Sequence, residues 1–104
     1  MEIVVARGDP KPWGIDGHLK INKVYICDTV EHPSRHLPKG EYVITASPFR
    51  HGDGAMALKA GEILVGKRLM PGVVTQSQAT YERLYERVRK AFQRGSPVRL
   101  TICG

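Results

Sequence analysis

Four side chains in this sequence have the chemistry of an acid–base site: Glu31, His51, Asp53 and Glu62. A carboxylate and an imidazole within hydrogen-bond reach can move a proton in a hydrolytic step, so a fold that gathers these four holds the parts for catalysis. Each also has a plainer reading. Glu31 ends a strand-like run, and Asp53 falls in the Gly-rich turn His51-Gly52-Asp53-Gly54. They stand as candidates, and no catalytic residue is assigned from sequence.

Cys27, Glu31, His32 and His36 fall close together and invite a metal reading. Cys27, His32 and His36 supply three donors with no fourth at a recognised spacing, so the expectation is a core-facing thiol and two solvated imidazoles. His18 has no partner in sequence. Gly61-Glu62-Ile63-Leu64-Val65-Gly66-Lys67 fits the opening of a P-loop formally. Its middle is a buried-strand run, however, Arg68 stands where a Mg²⁺-binding hydroxyl belongs, and Pro71-Gly72 follows where a helix should start. No metal or cofactor is expected.

The remaining constellation is electrostatic. Arg83, Arg87, Lys90 and Arg94 recur at i, i+4, i+7 and i+11, which on a helix is one continuous basic stripe. Such a stripe suits a phosphate backbone, another anionic polymer or an acidic protein face; the bland alternative is a solvated exterior that keeps the domain soluble. Arg89 lies off the line, within reach of Glu82 or Glu86.

The elements that must carry these residues are legible in outline. Ile3 to Ala6 reads as a strand, and Gly8-Asp9-Pro10-Lys11-Pro12 ends it. Trp13 to Gly17 is expected as a loop. Leu19-Lys20-Ile21 and Val24-Tyr25-Ile26 flank Asn22-Lys23 as a tight hairpin. Alternation along its second arm puts Val24, Ile26, Asp28 and Val30 on one face, and Tyr25, Cys27, Thr29 and Glu31 on the other. Residues 32–37 read as a polar loop, Pro38-Lys39-Gly40 as a type I turn, and Glu41 to Thr45 as a strand. Residues 47–60 have no sustained period. Ile63-Leu64-Val65, between Gly61 and Gly66, reads as a short buried strand and Pro71-Gly72 as a turn. Tyr81, Leu84, Tyr85, Val88, Ala91 and Phe92 give the apolar stripe of a helix over about 77–94. Thr75 or Ser77 is its expected N-cap, Gly95 its stop, and Val98 to Ile102 a last strand. These elements predict an α+β fold: a curved, mostly antiparallel sheet or open barrel with one long C-terminal helix packed on it.

The words Gly17-His18-Leu19, Cys27-Asp28-Thr29-Val30-Glu31, Pro38-Lys39-Gly40-Glu41-Tyr42 and Gly61-Glu62-Ile63-Leu64-Val65-Gly66 appear in that order, followed by a Ser77-led helix and a last strand. In order and spacing the chain resembles an uncharacterised family of small bacterial and phage domains over roughly residues 13–102. That family's His-x-Gly…Gly-Cys arrangement is similar to the signature of L,D-transpeptidases, in which a cysteine is the acyl nucleophile on cell-wall peptides. His51-Gly52 stands for the His-x-Gly, but Glu62 occupies the cysteine's place. The resemblance implies the fold; a carboxylate there does not supply thiolate acyl transfer.

At 104 residues the chain is sized for a single domain with one core. Two cysteines, Cys27 and Cys103, do not make a disulfide scaffold. Met1-Glu2 opens directly onto Ile3-Val4-Val5, with no basic leader and no long apolar stretch, which predicts a cytoplasmic or virion-associated protein without a membrane span. The net charge is +6, and all of the excess lies in residues 54–104, where nine lysines and arginines face three glutamates. The expectation is a non-catalytic accessory or binding domain whose partner is an anionic polymer or an acidic protein surface. The alternatives are a divergent peptidoglycan-acting hydrolase or transferase using the His/carboxylate cluster, and a non-specific phosphate-backbone binder using the basic stripe.

Overall fold

The hairpin at Asn22-Lys23 forms as its sequence demands. Both residues adopt positive φ, 49° and 71°, the backbone that a two-residue turn between right-twisted strands requires. In this computed structural model, which describes residues 1–44, 55–58 and 61–104 and side chains for 1–44 and 63–104, the hairpin joins β2 (Ile15–Ile21) to β3 (Val24–Glu31). Strand β1 (Glu2–Arg7) pairs antiparallel with β2. The other strands are β4 (Gly40–Ile44), β5 (Ala55–Leu58), β6 (Gly61–Met70), β7 (Val73–Thr75) and β8 (Val98–Cys103). One helix, α1 (Ser77–Gln93), lies between β7 and β8.

The sheet runs β4-β8-β1-β2-β3-β6-β5, with β7 folded back on the distal half of β6. Every pairing is antiparallel except β1 with β8. The sheet is open, because β4 and β5 end it without pairing to each other. The fold is therefore α+β and mostly antiparallel. Its core lies between one sheet face and the helix: Ile3, Val5, Leu19, Ile21, Val65, Leu100 and Ile102 meet Tyr81, Leu84, Val88 and Ala91.

Several local expectations change. Ile15 to Gly17 belong to β2 and not to a loop, because Ile15 is buried and pairs with Glu31 at the far end of β3. The register slips between Leu19 and Lys20, so that Leu19 opposes Cys27 while Lys20 opposes Tyr25. A bulge of this kind inserts one residue into one strand. It moves Tyr25 off the face of Cys27, Thr29 and Glu31 and onto that of Asp28. The type I turn at Pro38-Lys39-Gly40 is replaced by a bend. The Leu37 carbonyl that would close such a turn accepts a hydrogen bond from Arg7 instead.

Strand β6 extends well beyond Ile63–Val65 and passes through Gly66. A Cβ at Gly66 would lie 2.5 Å from the Thr75 carbonyl oxygen, so this glycine admits the returning β7 and does not stop the strand. The helix begins without a side-chain cap: Gln76, in a left-handed conformation (φ 57°), precedes it in place of Thr75 or Ser77. Its end is a Schellman motif. Gly95 (φ 71°) donates to the Phe92 carbonyl at 3.0 Å and Ser96 to that of Ala91 at 2.9 Å.

Candidate functional site

Of the four candidates for an acid–base cluster, the structure describes the side chain of Glu31. Glu31 is 2% exposed, and both its carboxylate oxygens are held by Arg7, from Nε at 2.9 Å and from Nη2 at 2.6 Å. The guanidinium reaches Glu31 across β2, where Gly17 lies between Arg7 and Thr29 in the ladder. A Cβ at Gly17 would come within 2.5 Å of the Ala6 carbonyl oxygen and 2.9 Å of Thr29 Oγ1. Glu31 is thus a structural anion fixed by a fork-shaped donor. His51 and Asp53 lie outside the described residues. Glu62 lies in β6 opposite Ala57, a backbone placement only.

The suggested metal donors are likewise engaged elsewhere. Cys27 is buried in the core, and burial first, then the charge of Asp28, pushes its thiol up to about 11. It is therefore protonated and unreactive at neutral pH. His32 Nδ1 accepts backbone N–H bonds from Ser34 (3.1 Å) and Arg35 (3.0 Å), and His36 Nδ1 donates to the His32 carbonyl at 3.0 Å. These two imidazoles shape the 32–37 loop. Among the described residues no group of three or more His, Cys, Asp or Glu side chains is placed to hold a metal ion. Gly61 to Lys67, the formal P-loop, is strand throughout. Both cysteines are free.

One polar cluster was not legible in the sequence. On the sheet face opposite the helix, Asp16, His18, Asp28 and Arg68 border an open depression of about 350 Å³ floored by Ala6, Gly8 and Gly17. Arg68 ties three strands together. Its Nη1 donates to Asp16 Oδ1 at 2.9 Å, and its Nη2 to the carbonyls of Gly17 (2.7 Å) and Thr29 (3.0 Å). Asp28 accepts from the Arg68 backbone N–H at 2.7 Å and from the Tyr25 hydroxyl at 2.9 Å. Asp16 also accepts the Gly72 N–H at 2.9 Å, which fixes the β6–β7 turn. Desolvation, then the bond to Asp28, raises the Tyr25 phenol above its usual range, so it is not a base. The carboxylates of this cluster already carry two donors each, which makes it a latch between β2, β3 and the β6–β7 hairpin. The bulge that delivers Tyr25 and the pairing that delivers Arg68 have no sequence signature.

The helix stripe keeps its character. Arg83, Arg87, Lys90 and Arg94 are all exposed, and none makes an ion pair or side-chain hydrogen bond among the described residues. At 1.5 Å per residue the four span about 16 Å of the helix axis. The helix glutamates make their side-chain hydrogen bonds with other helix residues. Glu86 is bound through both oxygens by Arg89, the closest contact being 2.7 Å, and Glu82 accepts from Gln78 at 3.0 Å. That fork lowers the Glu86 carboxyl below its usual range. Beside the stripe on the helix surface, Tyr81, Leu84, Val88 and Ala91 are buried. No helix among the described residues is long and apolar enough to cross a membrane. Compared with protein-family models, curated proteins and solved structures, the chain matches none.

Proposed function

We propose that this protein is a small non-catalytic binding domain that engages an anionic partner through the exposed face of α1. The observation that carries the reading is the stripe itself: four exposed cations on one helix face, without an ion pair among the described residues, in a chain of net charge +6. A line of unneutralised charge raises the local concentration of an oppositely charged partner and fixes its approach. The order of the sequence words supports a bacterial or phage accessory domain. Of the His/carboxylate cluster, Glu31 is the member whose side chain is described, and Arg7 occupies its oxygens. That weighs against the hydrolase alternative.

The test is retention on a heparin column. Arg87→Gln with Lys90→Gln should elute at clearly lower salt than the charge-matched control Arg35→Gln with Lys39→Gln, whose residues lie in the exposed 32–39 segment. Equal elution of the two variants would mean that only net charge matters and would overturn the reading.

A further inference from the structure

The cationic surface does not end at Arg83. Lys67 of β6 is exposed and pairs with Thr75 across the β6–β7 ladder, just ahead of Ser77 at the start of α1. It has no ion pair among the described residues. The β6–β7 ladder thus sets Lys67 beside the start of α1, the end of the helix from which the stripe runs.

Three of these five cations are guanidinium groups, whose donor fork fits phosphate oxygens in pairs. Along α1 the charges recur every three or four residues, about 4.5–6 Å apart on the axis. A B-form strand carries one phosphate per ~3.4 Å of duplex axis, so a line of about 16 Å has several phosphates within side-chain reach. The rings near the helix are committed to the interior: Tyr81 is buried, and Tyr85 and Phe92 pack against the core. Among the described residues no stacking platform is left beside the stripe to hold unstacked bases, which favours a duplex over a single strand. Resting on the reading of α1 as an anion-binding face, we propose that Lys67, Arg83, Arg87, Lys90 and Arg94 grip the phosphodiester backbone of duplex nucleic acid without reading its sequence.

The experiment is a fluorescence-anisotropy titration of the full chain with short DNA duplexes of two unrelated sequences, with poly-L-glutamate as a second polyanion. Five phosphate contacts give a log–log salt slope of about −4.5, or an affinity loss of about 500-fold between ~50 and ~200 mM salt. Both sequences should bind within a few-fold of each other. Lys67→Gln should make the slope shallower by about 0.9, and Arg87→Gln with Lys90→Gln by about 1.8. All three positions are exposed, and circular dichroism checks that the variants keep their fold. Saturable binding to poly-L-glutamate with none to either duplex would overturn the phosphodiester assignment and leave the anionic-face reading standing. Binding to neither polymer would overturn both. A slope unchanged in Lys67→Gln would remove Lys67 from the footprint, and strong preference for one duplex would overturn sequence-neutral binding.

Discussion

Breaking the Arg7–Glu31 pair one side at a time should cost far more than removing both sides together. Arg7 and Glu31 side chains are 7% and 1% exposed, and two charge-assisted hydrogen bonds join them, at 2.9 and 2.6 Å. Arg7→Met removes both donors, and the bond to Leu37 with them, leaving the carboxylate buried without a partner. Glu31→Leu strands the guanidinium in the same way. Each single change should cost ~3–5 kcal/mol, because an uncompensated buried charge is what remains. A domain of this size has ~5–15 kcal/mol of stability in all, so either variant loses about a fifth of it or more. The double variant removes both charges and refills the space with apolar groups, and should lie within ~1 kcal/mol of wild type or above it. Urea melts of the four proteins close a double-mutant cycle whose coupling energy should exceed ~3 kcal/mol. If a single variant does not fold, a folded double variant gives the same answer. Single variants within ~1 kcal/mol of wild type, or a double variant as damaged as the two singles combined, would refute the account of Glu31 as a structural anion.

Leu84→Ala should cost ~2–4 kcal/mol in urea melts, since Leu84 is fully enclosed between helix and sheet. Phe92→Ala should cost less than a fully buried phenylalanine would, because Phe92 is only partly covered, and Arg87→Ala should stay within ~0.5 kcal/mol; Arg87 costing more than Leu84 would invert the helix phase. With a thiol reagent at pH ~8, exposed Cys103 should react at once and Cys27 only on unfolding, its thiol being held near 11. Because the raised value belongs to the folded state, the stability contributed by the neutral thiol is full below about 9 and declines as pH rises toward about 11. Wild type should therefore lose more of its urea midpoint over that window than Cys27→Ala does. Two fast thiols in the folded protein would refute the burial.

Local signals in the sequence carried the parts of the fold that local physics decides. Asn22-Lys23 and the Tyr81-to-Phe92 period need only a turn rule and a helical repeat, and both elements stand where those rules put them. The errors share another cause: they depend on what lies across the sheet. Ile15 to Gly17 look like loop until β3 is seen to run far enough to pair with them. Gly66 looks like a stop until Thr75 is found packed against it. Alternation along β3 fails at Tyr25 because a bulge is a property of two strands and not of one. The Asp16–Asp28–Arg68 latch joins residues some 40 to 52 apart in sequence, a spacing that no motif rule encodes. The candidate site followed the same division. The helix stripe was legible because its spacing is local, whereas the pairing of Glu31 with Arg7 was not, because its partner is 24 residues away.

The distribution of carboxylates explains why the stripe stands out on this molecule. Asp16, Asp28 and Glu31 are the acidic residues that the fold consumes: each accepts at least two hydrogen bonds from Arg7, Arg68, Tyr25 or a backbone N–H. Glu86 is taken by Arg89 within the helix. Fixed in these locks, Asp16, Asp28 and Glu31 cannot swing toward the stripe, and among the described residues Arg83, Arg87, Lys90 and Arg94 make no ion pair. Exposed charges separated by more than a Debye length, ~10 Å at 0.1 M salt, scarcely feel one another, whereas cations ~5–6 Å apart on a helix do. Their mutual repulsion costs the helix a few tenths of a kcal/mol per pair in the free protein. An anionic partner laid along the face would relieve that repulsion as well as adding its own contacts. A stripe that served only solubility would not need this arrangement: the same four charges spread around the helix would repel each other less and solvate the domain equally well.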